Sequence, residues 1–121
     1  MNTALLVEDS ITEVEVITRY LTQIGLNVVR AGSCEEAKER LIQGTPDLII
    51  LDVILPGQSG FELCRELKSD PATGKIPVVI CSTKNTEADK LWGNLLGADA
   101  YCPKPVDQQE FEQIVRQLVK V

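Results

Sequence analysis

Along the chain, short runs of Val, Ile and Leu alternate with longer stretches whose apolar residues recur every three or four positions. The short runs cover 4–7, 27–30, 48–51, 78–81 and 100–102 and read as buried strands. In the first long stretch, Ile11, Val14, Ile17, Leu21 and Ile24 keep helical spacing. Helix starts are marked by Ser10-x-x-Glu13, Ser33-x-x-Glu36, Ser59-x-x-Glu62 and Asp107-x-x-Glu110, with Thr86-x-x-Asp89 a weaker version. Gly25, Gly44 and Gly97 are expected to end helices in the left-handed conformation. Pro71 and Pro77 bracket a loop.

Strand then helix, five times over, predicts an α/β domain with a parallel sheet covered on both faces. Right-handed crossovers leave few topologies. Five strands suit the flavodoxin-like, doubly wound (βα)5 order 2-1-3-4-5. The 121 residues suffice for one domain, 1–121, with no room for an output domain. No linker, low-complexity tract or fixed-period repeat interrupts it.

In such sheets ligands bind beyond the carboxyl ends of the strands, where the winding direction reverses. Here that is the crevice between the first and third strands. Glu8 and Asp9 follow the first strand and Asp52 follows the third, so three carboxylates converge. Crowded like charges repel, and a hard cation such as Mg2+ relieves them through oxygen ligands. The tight loop from Val53 to Gly57 offers a backbone carbonyl to such a metal. A single acid at a strand end is ordinary loop chemistry; three at one crevice are a site. Cys81-Ser82-Thr83 brings a hydroxyl to the end of the fourth strand, and Pro103-Lys104-Pro105 brings an ammonium to the end of the fifth. Alone, these are a turn residue and a surface lysine. Together with the acids they suit attack on a phosphoryl group by the central carboxylate, Asp52, with metal and lysine neutralising charge. A cis Lys104–Pro105 bond would set the lysine's direction.

Composition narrows the choice. Hydrophobic residues make up 44% and charged residues 25%, as in ordinary globular proteins. The net charge of −6 disfavours nucleic acid and anionic lipid. No apolar run is long enough to span a bilayer, and no leader peptide is expected; the cytoplasm is the expected compartment. The absence of histidine excludes Ser-His-Asp and Cys-His catalysis. Cys34, Cys64, Cys81 and Cys102 form no Cys-x-x-Cys pair and read as small buried residues in a reducing compartment.

With these residues assembled, the chain resembles the bacterial response-regulator receiver family of the chemotaxis-protein type. The resemblance covers essentially the whole chain. It rests on Leu6-Val7-Glu8-Asp9-Ser10, on Asp47-Leu48-Ile49-Ile50-Leu51-Asp52-Val53-Ile54-Leu55-Pro56-Gly57 with Gly60, on the run 77–82, and on Lys104-Pro105. It implies Asp52 as phosphoacceptor, Glu8 and Asp9 as the acidic pair holding Mg2+, and Ile54 as donor of the metal-binding carbonyl. It implies Ser82 as the hydroxyl that moves to the phosphoryl group, Lys104 as its ion-pair partner and Tyr101 as the aromatic switch. Partners would be a sensor histidine kinase or phosphotransfer protein and a downstream effector protein. The chain would be a monomer or a weak, phosphorylation-dependent dimer, with self-dephosphorylation as its only enzymatic property.

Two positions are less usual for that family. Ile54 stands two residues after Asp52, where it cannot hold a water. Lys84 stands two after Ser82, where it could cover the phosphoryl group. Both predict a long-lived phosphoform. The stretch from Lys84 to Gly93 is similar to single-domain receivers of twitching-motility, type IV pilus systems. That places Trp92 at a partner face, against the simpler reading that it packs on the last helix. Leu91, Leu95, Phe111 and Val115 fit either a dimer face or the core. A haloacid-dehalogenase-like phosphatase wants a second Asp two residues after the nucleophile, and none is there. A nucleotide binder wants a glycine-rich phosphate loop after the first strand, also missing. A receiver-shaped scaffold that is never phosphorylated is disfavoured because every chemical residue is present.

Overall fold

The computed structural model describes residues 2–120. Strands β1 (Thr3–Val7), β2 (Asn27–Ala31), β3 (Leu48–Leu51), β4 (Val78–Ser82) and β5 (Ala100–Pro103) alternate with helices α1 (Ile11–Gln23), α2 (Cys34–Gln43), α3 (Gly60–Ser69), α4 (Glu87–Leu95) and α5 (Gln108–Leu118). All strands pair in parallel, in the order β2-β1-β3-β4-β5. Fold class and strand order are those expected from the alternation of patterns.

The pleat explains why the inner strands are apolar at nearly every position. Leu6, Leu48, Ile50, Val79 and Cys81 face α1 and α5, where they meet Ile17, Leu21, Phe111 and Val115. Leu5, Val7, Ile49, Leu51 and Val78 face the other way, onto Ala37, Leu63, Cys64 and Leu67 of α2 and α3. Burying each such Leu or Ile is worth about 1.5–3 kcal/mol. Only β2, at the sheet edge, has mostly exposed side chains.

Every marked helix start is an N-cap: the side chains of Ser10, Ser33, Ser59, Thr86 and Asp107 all accept a first-turn backbone N–H. The weakest sequence match, Thr86 with Asp89, closes the reciprocal capping box. Gly25 and Gly97 take positive φ, +93° and +101°, just past their helices. Gly44 differs: its φ of −179° and ψ of 157° are extended. The chain leaves α2 without a left-handed turn because it runs straight towards Pro46 and β3.

Phe111 and Val115 are core, whereas Leu91, Trp92 and Leu95 of α4 are exposed at 60%, 51% and 68%. Trp92 therefore does not serve as buried packing against α5. All four cysteines are buried free thiols.

Candidate functional site

The site is built where four strands, β1, β3, β4 and β5, stop. Asp52 N donates to Val7 O at 3.0 Å, which keys the end of β3 to the end of β1. Lys104 N donates to Ser82 O at 3.1 Å, which does the same for β5 and β4. The Lys104–Pro105 peptide is cis, as considered from sequence. Gly60 must be glycine: a Cβ there would lie 2.0 Å from Asp52 O. That close approach lets α3 begin directly under the Asp52 turn.

The side chains converge. Carboxylate oxygens of Glu8, Asp9 and Asp52 lie within 4.8 Å of one another. Lys104 Nζ sits 2.5 Å from Glu8 Oε1 and 3.0 Å from Asp52 Oδ2, and 3.8 Å from Glu13 Oε2. Ile54 N donates to Asp52 Oδ1 at 3.2 Å, and Ser10 N to Glu8 Oε2 at 3.2 Å. Glu8 and Asp52 are buried, at 1% and 7% exposure, while Asp9 is exposed. They open onto a cavity of about 480 Å³, walled also by Ile54, Leu55, Pro56 and Thr83.

The electrostatics are unbalanced. Burial pushes the Glu8 carboxyl above its ordinary range and Asp52 adds to the rise, against the pull of Lys104. Burial works to lower the Lys104 ammonium, but its bonds to Glu8 and Asp52 prevail and raise it. One ammonium serves a cluster of four carboxylates, those of Glu8, Asp9, Glu13 and Asp52, so negative charge is in excess. An all-oxygen donor set with surplus negative charge fits a hard divalent cation.

Ser82, Lys84 and Tyr101 form a second, connected group behind this wall. Ser82 is fully buried, and its Oγ accepts from Lys84 N at 3.1 Å. Thr83, not Ser82, lines the cavity. The Lys84 ammonium turns away to Asp89, 3.2 Å distant, rather than over the crevice. The half-buried Tyr101 donates its hydroxyl to Lys84 O. Its ring fills the space that a side chain at Gly93 would take. Burial, with the fields of Asp89 and Asp52, pushes its phenol up to about 12.

Two contributors escaped the sequence reading. Glu13 reaches Lys104 from α1; its capping-box position hid that role. Arg30, on the edge strand, donates to the backbone carbonyls of Glu8 and Asp9 at 3.3–3.4 Å. Nothing in the sequence near Arg30 signals this contact, which depends on β1–β2 register.

Residues 4–116 match the family model described as response regulator receiver domain. This chain belongs to that family. Protein PilH of Pseudomonas aeruginosa is 39% identical over 105 residues, covering 87% of each chain. The phosphate regulon transcriptional regulatory protein PhoB of the same organism is 38% identical over 108 residues, 89% of this chain but only 47% of that longer regulator. The crystal structure of the signal receiver domain of a DNA binding response regulator from Colwellia psychrerythraea superposes with a TM-score of 0.93 at 27% identity, covering all of both chains. The protein is thus the receiver domain of a two-component response regulator. Receiver domains are phosphoacceptor switches rather than enzymes acting on a separate substrate; such domains typically bind Mg2+ at an acidic pocket, and this chain carries an acidic cluster in Glu8, Asp9 and Asp52.

Proposed function

We propose that Asp52 accepts a phosphoryl group from a sensor histidine kinase or phosphotransfer protein, and that the resulting aspartyl phosphate controls binding of an effector protein. The observation that carries this reading is the Lys104 ammonium bridging buried Glu8 and Asp52 beside an open cavity.

The phosphorus–nitrogen bond of the donor breaks as an Asp52 carboxylate oxygen bonds to phosphorus in line. Lys104, already 3.0 Å from Asp52 Oδ2, pairs with a phosphoryl oxygen as charge builds there. The Ile54 amide holds the other Asp52 oxygen and orients the carboxylate. Glu8, Asp9 and Asp52, with the Ile54 carbonyl, would hold Mg2+, which when bound neutralises the phosphoryl oxygens. Ser82 reaches the phosphoryl group once its bond to Lys84 N is exchanged for one to a phosphoryl oxygen. Tyr101, tied to Lys84 O, feels that loop movement directly. The switch is a shift between conformers that already exist.

Exposed Ile54 has no polar atom in its side chain to position an attacking water, so hydrolysis of the phosphoform is slow. Lys84 would have to leave Asp89 before it could shield the phosphoryl group. Leu91, Trp92 and Leu95 offer α4 as the effector face or as the contact of a weak dimer. Similarity to PilH favours a role in motility or chemosensory signalling. Among the described residues no helix is long and apolar enough to cross a membrane, and we place the switch in the cytoplasm.

The test is intact mass after incubation with acetyl phosphate, with and without Mg2+. One added phosphoryl group that needs Mg2+ and disappears in Asp52→Asn is the expected result. No adduct on folded protein, even with beryllofluoride as a stable phosphoryl mimic, would make the chain a phosphorylation-independent scaffold.

A further inference from the structure

The cysteines divide into two kinds. Cys34 and Cys64 give their S–H groups to backbone carbonyls, Gln58 O at 3.3 Å and Leu96 O at 3.9 Å. Burial first of all pushes both thiols up to about 11, so they stay protonated and unreactive. Cys81 and Cys102 are instead direct register partners on neighbouring parallel strands, facing the same α1/α5 core. Paired strands lie about 4.7–4.9 Å apart, inside the roughly 4.4–6.8 Å Cα window of a disulfide. The two thiols also act on each other's titration, Cys81 moving up and Cys102 down.

Cys102 is 3% exposed, against 1% for Cys81. It lines a small cavity of about 30 Å³ with Pro103, Pro105, Asp107, Glu110 and Phe111. A water needs roughly 10–15 Å³ of such space, so a molecule of two oxygen atoms fits. Two carboxylates at the wall, Asp107 and Glu110, disfavour an anionic reagent. The volume excludes a peptide disulfide.

We propose that Cys102 is a hydrogen peroxide-reactive thiol, resolved by Cys81 into a disulfide across β4 and β5. The Cys102 sulfur attacks one peroxide oxygen and the O–O bond breaks. The departing hydroxide takes up the thiol proton as water, leaving a sulfenic acid. The Cys81 sulfur then attacks the Cys102 sulfur and the S–O bond breaks. The hydroxide leaves as a second water with the Cys81 proton. Two thiols are oxidised to one disulfide while one peroxide is reduced to two waters. The new bond lies one residue before Ser82 and two before Lys104, on the strand ends that those residues share.

The experiment treats folded, reduced protein with hydrogen peroxide, then denatures it in alkylating reagent and maps the peptides. The expected product is lighter by two hydrogen atoms, joins the Cys81 and Cys102 peptides, reverts with a thiol reductant, and leaves Cys34 and Cys64 free to alkylate. Cys81→Ala removes the resolving thiol and is expected to leave a sulfenic acid at Cys102 that dimedone captures. Recovery of all four thiols after peroxide, or a bridge through Cys34 or Cys64, overturns the proposal. So does a folded Cys81→Ala protein without dimedone label at Cys102. The wild-type map decides alone if the variant does not fold.

Discussion

Two partly buried lysines, one at each end of the sheet, are paired with carboxylates in opposite ways. Lys68 lies at the amino ends of β4 and β5. Its Nζ is 2.9 Å from Asp99 Oδ2 and also donates to Ile76 O at 2.8 Å and Gly74 O at 3.4 Å. Asp99 in turn accepts from Val78 N at 2.8 Å. One charge meets one charge, the ammonium's donors are used up, and the cluster ties α3 to the strand entry. Lys104, at the carboxyl ends, meets two buried acids and lies beside two more. Here the charge does not balance, and the cluster opens to a cavity. A buried ion pair is weak evidence of either stability or function. The surplus of one sign distinguishes the end proposed to take the phosphoryl group.

The largest expected difference is functional. Asp52→Asn should abolish phosphoryl uptake by intact mass while keeping the thermal midpoint, since it removes a crowded charge. Asp99→Asn should leave uptake unchanged and lower stability by about 1.5–3 kcal/mol, the usual worth of a hydrogen bond to a charged group. If Asp99→Asn also lost uptake, the division of labour between the two ends would fail.

Next come the lysines themselves. Lys104→Met strands Glu8 and Asp52 without a cation and should cost about 3–5 kcal/mol in denaturant titrations without metal. Saturating Mg2+ should return much of that loss. Lys68→Met should be destabilising too, but with the same response to Mg2+ as the wild type, because Mg2+ has no seat at that end.

Acidity separates the two ends more finely. The folded-state pKa of Glu8 is raised above its ordinary 4.5. Between 4.5 and that raised value, the folded chain binds more protons than the unfolded one, so the Glu8 contribution to stability falls as pH rises. Lys104, raised above 10.5, has the same sign: its contribution is complete below 10.5 and is lost through the higher folded value. Metal-free wild type should therefore lose stability as pH rises above 4.5, with a slope that Glu8→Gln removes. A variant keeping the full slope would place that titration elsewhere.

The smallest effects belong to the loops. Ile54→Asn gives the Asp52 turn a group that can hold water and should speed loss of the phosphoryl group several-fold; an unchanged lifetime would break the reading of Ile54. Thr86→Ala removes the α4 capping box and should cost about 1 kcal/mol with no change in phosphoryl uptake.

Most of the architecture was readable before any coordinates, because buried parallel strands and capped helices leave local signatures. Runs such as Leu48-Ile49-Ile50-Leu51 admit no exposed face, and Ser33, Ser59 and Asp107 announce the helices they cap. The acids were readable as well, since each follows a strand directly and strand order brings them together. What the sequence left open was whatever depended on direction. Gly44 has the freedom to turn left-handed but continues extended. Lys84 occupies a position from which it could shield the crevice, yet Asp89 holds it. Ser82 ends the fourth strand and Thr83 follows it, and only the course of the chain there decides that Thr83 meets the cavity.

By itself, then, the order of residues determined the elements, their caps, the strand sequence and the set of chemical groups at the crevice. Periodicity and capping are local properties, and right-handed crossovers leave little choice beyond them. The tertiary structure alone decided which charges are buried together, that Arg30 clasps the Glu8 and Asp9 carbonyls, and that Cys81 stands opposite Cys102. Those facts depend on register and burial, where residues far apart in sequence share a few ångströms, and no local pattern encodes a distance of that kind.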